Sequence, residues 1–208
     1  MMRSAPMWDQ RYTTSEYVYG TAPNVFLTGA AEHIRPNGRV LAVADGEGRN
    51  GVWLSQQGFD VVSVDASAVA LAKAGRLAAE RGVSLELEHA DLLSWHWPVE
   101  ALDAVVAIFI QFAGPEDRAR LFEDMKQAVR PGGVLILQGY RPDQIAYGTG
   151  GPPNADNLYT ETMLRDAFAD WDVVHMKAHD SVITEGSGHH GLSALIDLVA
   201  RKPKKPGA

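Results

Sequence analysis

Continuous apolar runs alternate with helical patterns along most of this chain, and that alternation confines it to one class of architecture. The strand candidates are Arg39–Ala44, Asp60–Val64, Ser84–Glu88, Asp103–Phe109 and Val134–Gly139. Most are unbroken stretches of Val, Ile, Leu and Ala, the pattern of strands covered on both faces. Leu71, Ala74 and Ala78 recur at helical spacing behind a Ser67 cap, and Leu121, Met125, Ala128 and Val129 do so behind the acidic turn Glu116–Asp117. Arg49–Gln57 is the helix after the first strand. Such alternation predicts a doubly wound, Rossmann-like α/β sheet with right-handed parallel crossovers.

The ends depart from this rhythm. Trp8–Tyr19 carries aromatics ahead of a helix over Pro23–His33 and is expected to form a cover. After the fifth strand comes an irregular stretch, Tyr140–Tyr159, then a helix near Glu161–Phe168. Two last strands, roughly Asp172–Thr184 and Leu192–Ala200, share a short Gly-rich loop, so they must run antiparallel. With 208 residues and no repeat or Ser/Gly linker, the expectation is one domain over 1–208, with a cover segment at 1–22 and a flexible tail at 202–208. The basic cluster Arg201, Lys202, Lys204 and Lys205 reads as a solvated end.

Composition narrows the function classes. There is no cysteine, which excludes disulfides, thiolate metal sites and a cysteine nucleophile. A formal charge of −7 disfavours a nucleic-acid surface, and a small-molecule partner is expected instead. The longest apolar run, Ala104–Ile110, is too short to span a bilayer, and no leader pattern precedes it, so the expected location is the cytoplasm, with no membrane partner. Oligomeric state is left open.

In a doubly wound sheet ligands lie beyond the carboxyl ends of the strands. There the first strand runs into Asp45-Gly46-Glu47-Gly48-Arg49-Asn50-Gly51, whose glycines allow a tight turn and close approach of a ligand. Asp65 ends the second strand, where a carboxylate can accept from both ribose hydroxyls, and Asp91 follows the third, within reach of an adenine amino group. Together they describe a nucleoside site. Gly46-x-Gly48-x-x-Gly51 also fits the dinucleotide fingerprint, so an NAD(P)-dependent oxidoreductase is the competing reading. Glu47 and Asp45 beside a diphosphate argue against it, whereas a sulfonium and an ammonium gain from nearby carboxylates.

At these residues the chain resembles the class I S-adenosylmethionine-dependent methyltransferases, and most closely the small bacterial tellurite-resistance and thiopurine-type group. The resemblance rests on Trp8-Asp9-x-Arg11-Tyr12, Tyr19-Gly20-Thr21-x-Pro23-Asn24, Gly46-Glu47-Gly48-Arg49-Asn50, Val64-Asp65-Ala66-Ser67, Ala90-Asp91-Leu92 and Arg130-Pro131-Gly132-Gly133. It implies a seven-stranded sheet whose last strand is antiparallel and inserted between the fifth and sixth. It also implies S-adenosylmethionine as cofactor, S-adenosylhomocysteine as product, and a small-molecule methyl acceptor. The cofactor contacts would be Asp45, Gly46, Gly48, Asn50, Asp65, Ala66, Asp91, Leu92 and Phe109, with Phe109-Ile110-Gln111-Phe112 as the pocket floor. One departure stands out. Ala42 within the first strand and Ala44 after it occupy positions where many members carry an acid and a glycine, and the acid appears instead at Asp45. A non-catalytic S-adenosylmethionine-binding protein is a further alternative.

Methyl transfer needs a base only if the acceptor must lose a proton. If the sixth strand is parallel, Glu185-Gly186-Ser187-Gly188-His189-His190-Gly191 reaches the active-site face, and His189 or His190 is a candidate base. Adjacent histidines rarely address one ion, and no metal is expected. Tyr140–Tyr159 reads as an acceptor loop with Tyr140, Gln144 and Tyr147 as contacts, Tyr147 also being a catalytic candidate. Trp8, Arg11, Tyr12 and Tyr19 would form the cover.

Overall fold

A computed structural model describes residues 5–205; the first part of the expected cover, 1–4, and the end of the expected tail, 206–208, lie outside the described residues. Helix α1 (Ala5–Tyr12) and helix α2 (Val25–Ala30) precede strand β1 (Arg39–Val43). The core then follows as α3 (Arg49–Gln56), β2 (Asp60–Asp65), α4 (Ala68–Glu80), β3 (Glu86–His89), β4 (Leu102–Ile108), α5 (Pro115–Ala128) and β5 (Val129–Tyr140). The chain ends with the short α6 (Gln144–Tyr147), α7 (Glu161–Ala167), β6 (Asp172–Glu185) and β7 (His189–Arg201).

Three helices start behind side-chain caps, the expected Ser67 among them. Ser67 accepts from the Ala70 amide, Asn24 from the Leu27 amide and Thr160 from the Met163 amide. Asn24 brings the second helix in slightly late and short, and a 3-10 turn, Ala31–His33, completes the expected span.

One sheet orders the strands β3-β2-β1-β4-β5-β7-β6. β1 pairs parallel with both β2 and β4, while β7 runs antiparallel to β5 and to β6. β6 therefore points the same way as the first five strands, and its end, Glu185, arrives on the same face as the ends of β1 and β4. The strand order reverses between β1 and β4, so the crevice forms above them. Every residue of β4 is buried. Leu41, Val105, Leu135 and Leu198 face α5 on one side, and Val40, Val106, Ile136 and Val199 face Leu27 and Leu54 on the other. This double coverage is the physical basis of the continuous apolar runs.

The basic end differs from its expectation. Arg201 belongs to β7, and Lys202 donates to the carbonyls of Lys126 and Val129 at 2.9 and 2.8 Å. Lys205 reaches Glu100 at 2.8 Å. The free carbonyls at the end of α5 carry partial negative charge, which draws the lysine in.

Candidate functional site

β1 gives way to Ala44, which adopts a left-handed φ of 47°, followed by Gly46 at 59° and Gly48 at 85°. Ala44 thus holds the backbone conformation that a glycine would adopt freely, at a cost of about 1–2 kcal/mol. Asp65 ties the loop to β2: its carboxylate accepts from the amides of Gly46 and Ser67, both at 2.8 Å. Tyr12 from α1 closes over the turn, its hydroxyl 2.9 Å from where a Cβ on Gly46 would stand. Gly46 is therefore a position where only bare backbone fits between cover and loop.

Above these strand ends lies a cavity of about 490 Å³. Of the residues expected to contact the cofactor, Asp45, Gly46, Asn50, Asp65, Ala66, Asp91, Leu92 and Phe109 all line it. Gly48 does not. It begins α3 where that helix crosses α4, and a Cβ there would stand 2.6 Å from the Ala74 Cβ. Its missing side chain serves helix packing. Gly48→Ala combines a left-handed alanine with that overlap and should cost about 2 kcal/mol in urea unfolding. A change below about 0.5 kcal/mol would show that α4 gives way freely.

The electrostatics of the loop also differ from the sequence expectation. Glu47 is buried, and its carboxylate meets Lys73 Nζ of α4 at 2.6 Å and accepts from the Val18 amide at 2.7 Å. Its charge is spent on holding the cover, which leaves Asp45, Asp65 and Asp91 as the carboxylates lining this end of the cavity. Asp45 accepts from Ser63 Oγ at 2.9 Å and from the Gly51 amide. Desolvation nonetheless pushes its pKa up to about 7, with Asp65 adding to the rise. Burial likewise raises Asp65, against the pull of the amides it holds.

The opposite half of the cavity is aromatic and basic. Phe109 leaves β4 with a left-handed φ of 56°, which turns its ring into the crevice. His189 sits amid rings, with Tyr19, Phe109 and Tyr140 centroids at 4.4, 4.6 and 5.6 Å. Its Nδ1 lies 3.3 Å from Glu185 Oε2, which Arg49 also approaches at 2.8 Å. Burial would raise the Glu185 pKa, but His189 and Arg49 outweigh it and hold the carboxyl at about 2. Burial pushes the His189 imidazole down, partly countered by Glu185. The Arg11 guanidinium spans Trp8 and Tyr19 at 5.5 and 5.3 Å from the ring centres.

The hairpin loop is shaped to receive the cover. The Gly188 amide donates to the Val18 carbonyl at 2.9 Å, and a Cβ on Gly188 would lie 2.3 Å from the Tyr19 ring. Gly150, Gly151, Pro152 and Pro153 of the long loop also reach the cavity.

His190 and Tyr147 stand outside it. Adjacent strand residues face opposite sides, so His190 is exposed while His189 is enclosed. Tyr147 lies behind the loop, its hydroxyl on Asp180 at 2.9 Å. Gln144 is buried and bonds Thr149, Gly150 and the Ala194 amide, so it braces the loop. Sequence reasoning did not find Lys73 or the Arg49–Glu185 pair. The available signal was a lysine on the apolar stripe of α4, between Ala70 and Ala74.

Residues 40–133 match a family model described as a methyltransferase domain. A glycine N-methyltransferase of Mus musculus is 30% identical over 82% of this chain and 61% of its own length. A glycine/sarcosine N-methyltransferase of Halorhodospira halochloris is 35% identical over 51% of this chain and 41% of its own. This chain thus spans roughly two fifths to three fifths of these curated relatives. Among solved structures, TehB from Haemophilus influenzae superposes with a TM-score of 0.71 at 20% identity, over 96% of this chain and 67% of that one. A protein solved in work on the conversion of a disulfide bond into a thioacetal group during echinomycin biosynthesis gives 0.79 at 19% identity, over 99% and 94%. At such identities the superpositions establish the fold.

Proposed function

We propose that this chain, whose residues 40–133 match a methyltransferase-domain model, is a class I S-adenosylmethionine-dependent methyltransferase acting on a small molecule that must give up a proton, with His189 as the general base. The observation that carries this reading is the enclosed imidazole, oriented by Glu185 and facing the same cavity as the Gly46 loop and Asp65.

The donor set suits the cofactor. Asp65 and Asp91 offer carboxylates at the ends of β2 and β3 for ribose hydroxyls and an adenine amino group, and Asp45 lies where an ammonium would be favoured. The bare backbone at Gly46 leaves room beside them. When bound, S-adenosylmethionine supplies a methyl group on a positively charged sulfur, which needs little activation beyond positioning. The chain's own residues supply the rest. Tyr19, Phe109 and Tyr140 exclude water around the imidazole, and His189 Nε2 accepts the acceptor's proton. A cavity of about 490 Å³ suits small acceptors, and relatives named for glycine and sarcosine N-methylation support that class.

Calorimetric titration with S-adenosylmethionine, S-adenosylhomocysteine and NAD tests the cofactor. Micromolar binding of the two sulfur nucleosides and none of NAD is expected; NAD binding alone would overturn the reading. Turnover of methyl-labelled cofactor against amines, thiols and phenols then separates an enzyme from a non-catalytic binder. The raised Asp45 carboxyl adds a pH signature. A cation beside it favours the ionised form, so cofactor affinity should strengthen about three- to tenfold as pH rises from about 6 to about 8. A flat profile would remove Asp45 from the ammonium site.

A further inference from the structure

Behind the cavity, and lining no part of it, lies a buried chain of polar side chains that ends on Glu185. His179 Nε2 on β6 lies 2.9 Å from Asp197 Oδ2 on β7, and Asp197 Oδ1 accepts from Gln138 Nε2 on β5 at 2.6 Å. Gln138 Oε1 accepts from Asn24 Nδ2 at 2.7 Å, and the same amide donates to Glu185 Oε1 at 3.1 Å. Asn24, Gln138 and Asp197 are each 5% exposed or less.

The chain has a fixed polarity. Asp197 can only accept, so Gln138 must turn its NH₂ toward it and its oxygen toward Asn24. Asn24 must then present NH₂ to Gln138 and Glu185, which leaves its own oxygen for the Leu27 amide, where it is found at 3.0 Å. Every amide orientation agrees with its neighbours. An apolar core would be simpler to build at this depth, and buried polar groups are costly unless all are satisfied.

Glu185 needs such a support. It is the last residue of β6, directly before Gly186, and its Oε2 is shared by Arg49 and His189. A carboxylate held at one oxygen can swing about that contact, whereas Asn24 at Oε1 fixes its plane. Asn24 also closes the Tyr19–Asn24 motif, and its backbone amide donates to Asn50 Oδ1 at 2.9 Å.

We propose that Asn24, Gln138 and Asp197 are positioning residues that fix the Glu185 carboxylate and thereby hold His189 with its hydrogen on Nδ1 and its lone pair on Nε2. The inference rests on the reading of His189 as base, but its test does not require turnover.

The test is long-range ¹H–¹⁵N spectroscopy of histidine-labelled protein, with the His189 signal assigned by its loss in His189→Gln. Wild-type protein is expected to show the Nδ1-protonated form dominant. Asn24→Ser keeps an oxygen to cap α2 but removes both amide donations. In that folded variant the tautomer ratio should move about tenfold toward Nε2 protonation, the equivalent of one lost hydrogen bond. Gln138→Met, which withdraws the support one step earlier, should move it the same way and is read if Asn24→Ser does not fold. An unchanged ratio in either folded variant, or an even mixture in wild type, overturns the proposal. Titration of the same samples with S-adenosylhomocysteine keeps the two questions apart. Wild-type protein that fails to bind it sinks the methyltransferase reading and leaves the tautomer result standing.

Discussion

Lys73→Met should lower the free energy of unfolding by about 3–5 kcal/mol, because it leaves the Glu47 carboxylate buried without its counter-charge. Both side chains are 3% exposed and their charged atoms lie 2.6 Å apart. Methionine has nearly the length of lysine, so packing against Tyr17 and the α4 stripe is preserved and the loss is mainly electrostatic. Lys73 Nζ also donates to the Glu16 carbonyl at 2.8 Å, which would lose that partner. The double variant Lys73→Met, Glu47→Gln should recover most of the loss. Glutamine is neutral, and its oxygen can still accept from the Val18 amide. Urea unfolding of the two variants and the wild type measures this. A single-variant loss under about 1 kcal/mol, or a double variant no better than the single, would show that the pair is not enclosed as described. The same substitution should speed hydrogen exchange at Val18, since Glu47 holds that amide and the cover through it.

The fold was legible because β1, β4 and β5 are buried on both faces, so their apolar runs are long and unmistakable. β3 was harder. Glu86-Leu87-Glu88-His89 is a short edge strand with three exposed residues, and its expected position, Ser84–Glu88, slips against the observed one. Nothing in a half-solvated tetrapeptide opposes such a slip. The cavity lining at the strand ends was legible because strand-end acids and loop glycines lie near their own place in the sequence. The packing of Gly48 and the ion pair of Glu47 were hidden for the opposite reason. Their partners, Ala74 and Lys73, lie on α4, and only the crossing of two helices brings them together. The hairpin histidines show a third limit. Both begin β7, and which one enters the cavity depends on the register of β7 against β6, where Glu185 faces His189 across the turn. The position of Tyr147 outside the cavity was hidden similarly: a single helical turn within an irregular stretch has too little period for its direction to be read.

His189→Gln should lower kcat by about 10²–10⁴-fold on the acceptor found by screening, while leaving cofactor affinity within about threefold. Glutamine fills much of the same volume and keeps a donor for Glu185, so the buried carboxylate is not left exposed to the same penalty as in Lys73→Met. What it removes is the basic Nε2. The pH profile supplies the independent check. His189 faces Glu185, Arg49 and Arg11 among rings, and burial lowers its pKa below the ordinary 6.5 despite Glu185. The neutral imidazole therefore persists at neutral pH and below, and the acid limb of the wild-type profile should fall with a midpoint under about 6.5. Stability carries the same sign. The unfolded chain binds this proton more readily than the folded one, so this site's contribution to stability is present above about 6.5 and declines as pH falls toward the lowered value. A thiol acceptor already ionised near neutrality would separate the two roles of the residue. With such an acceptor the His189→Gln loss should shrink and the acid limb should follow the thiol. An undiminished loss there would mean that His189 acts by shaping the aromatic enclosure, not by taking a proton.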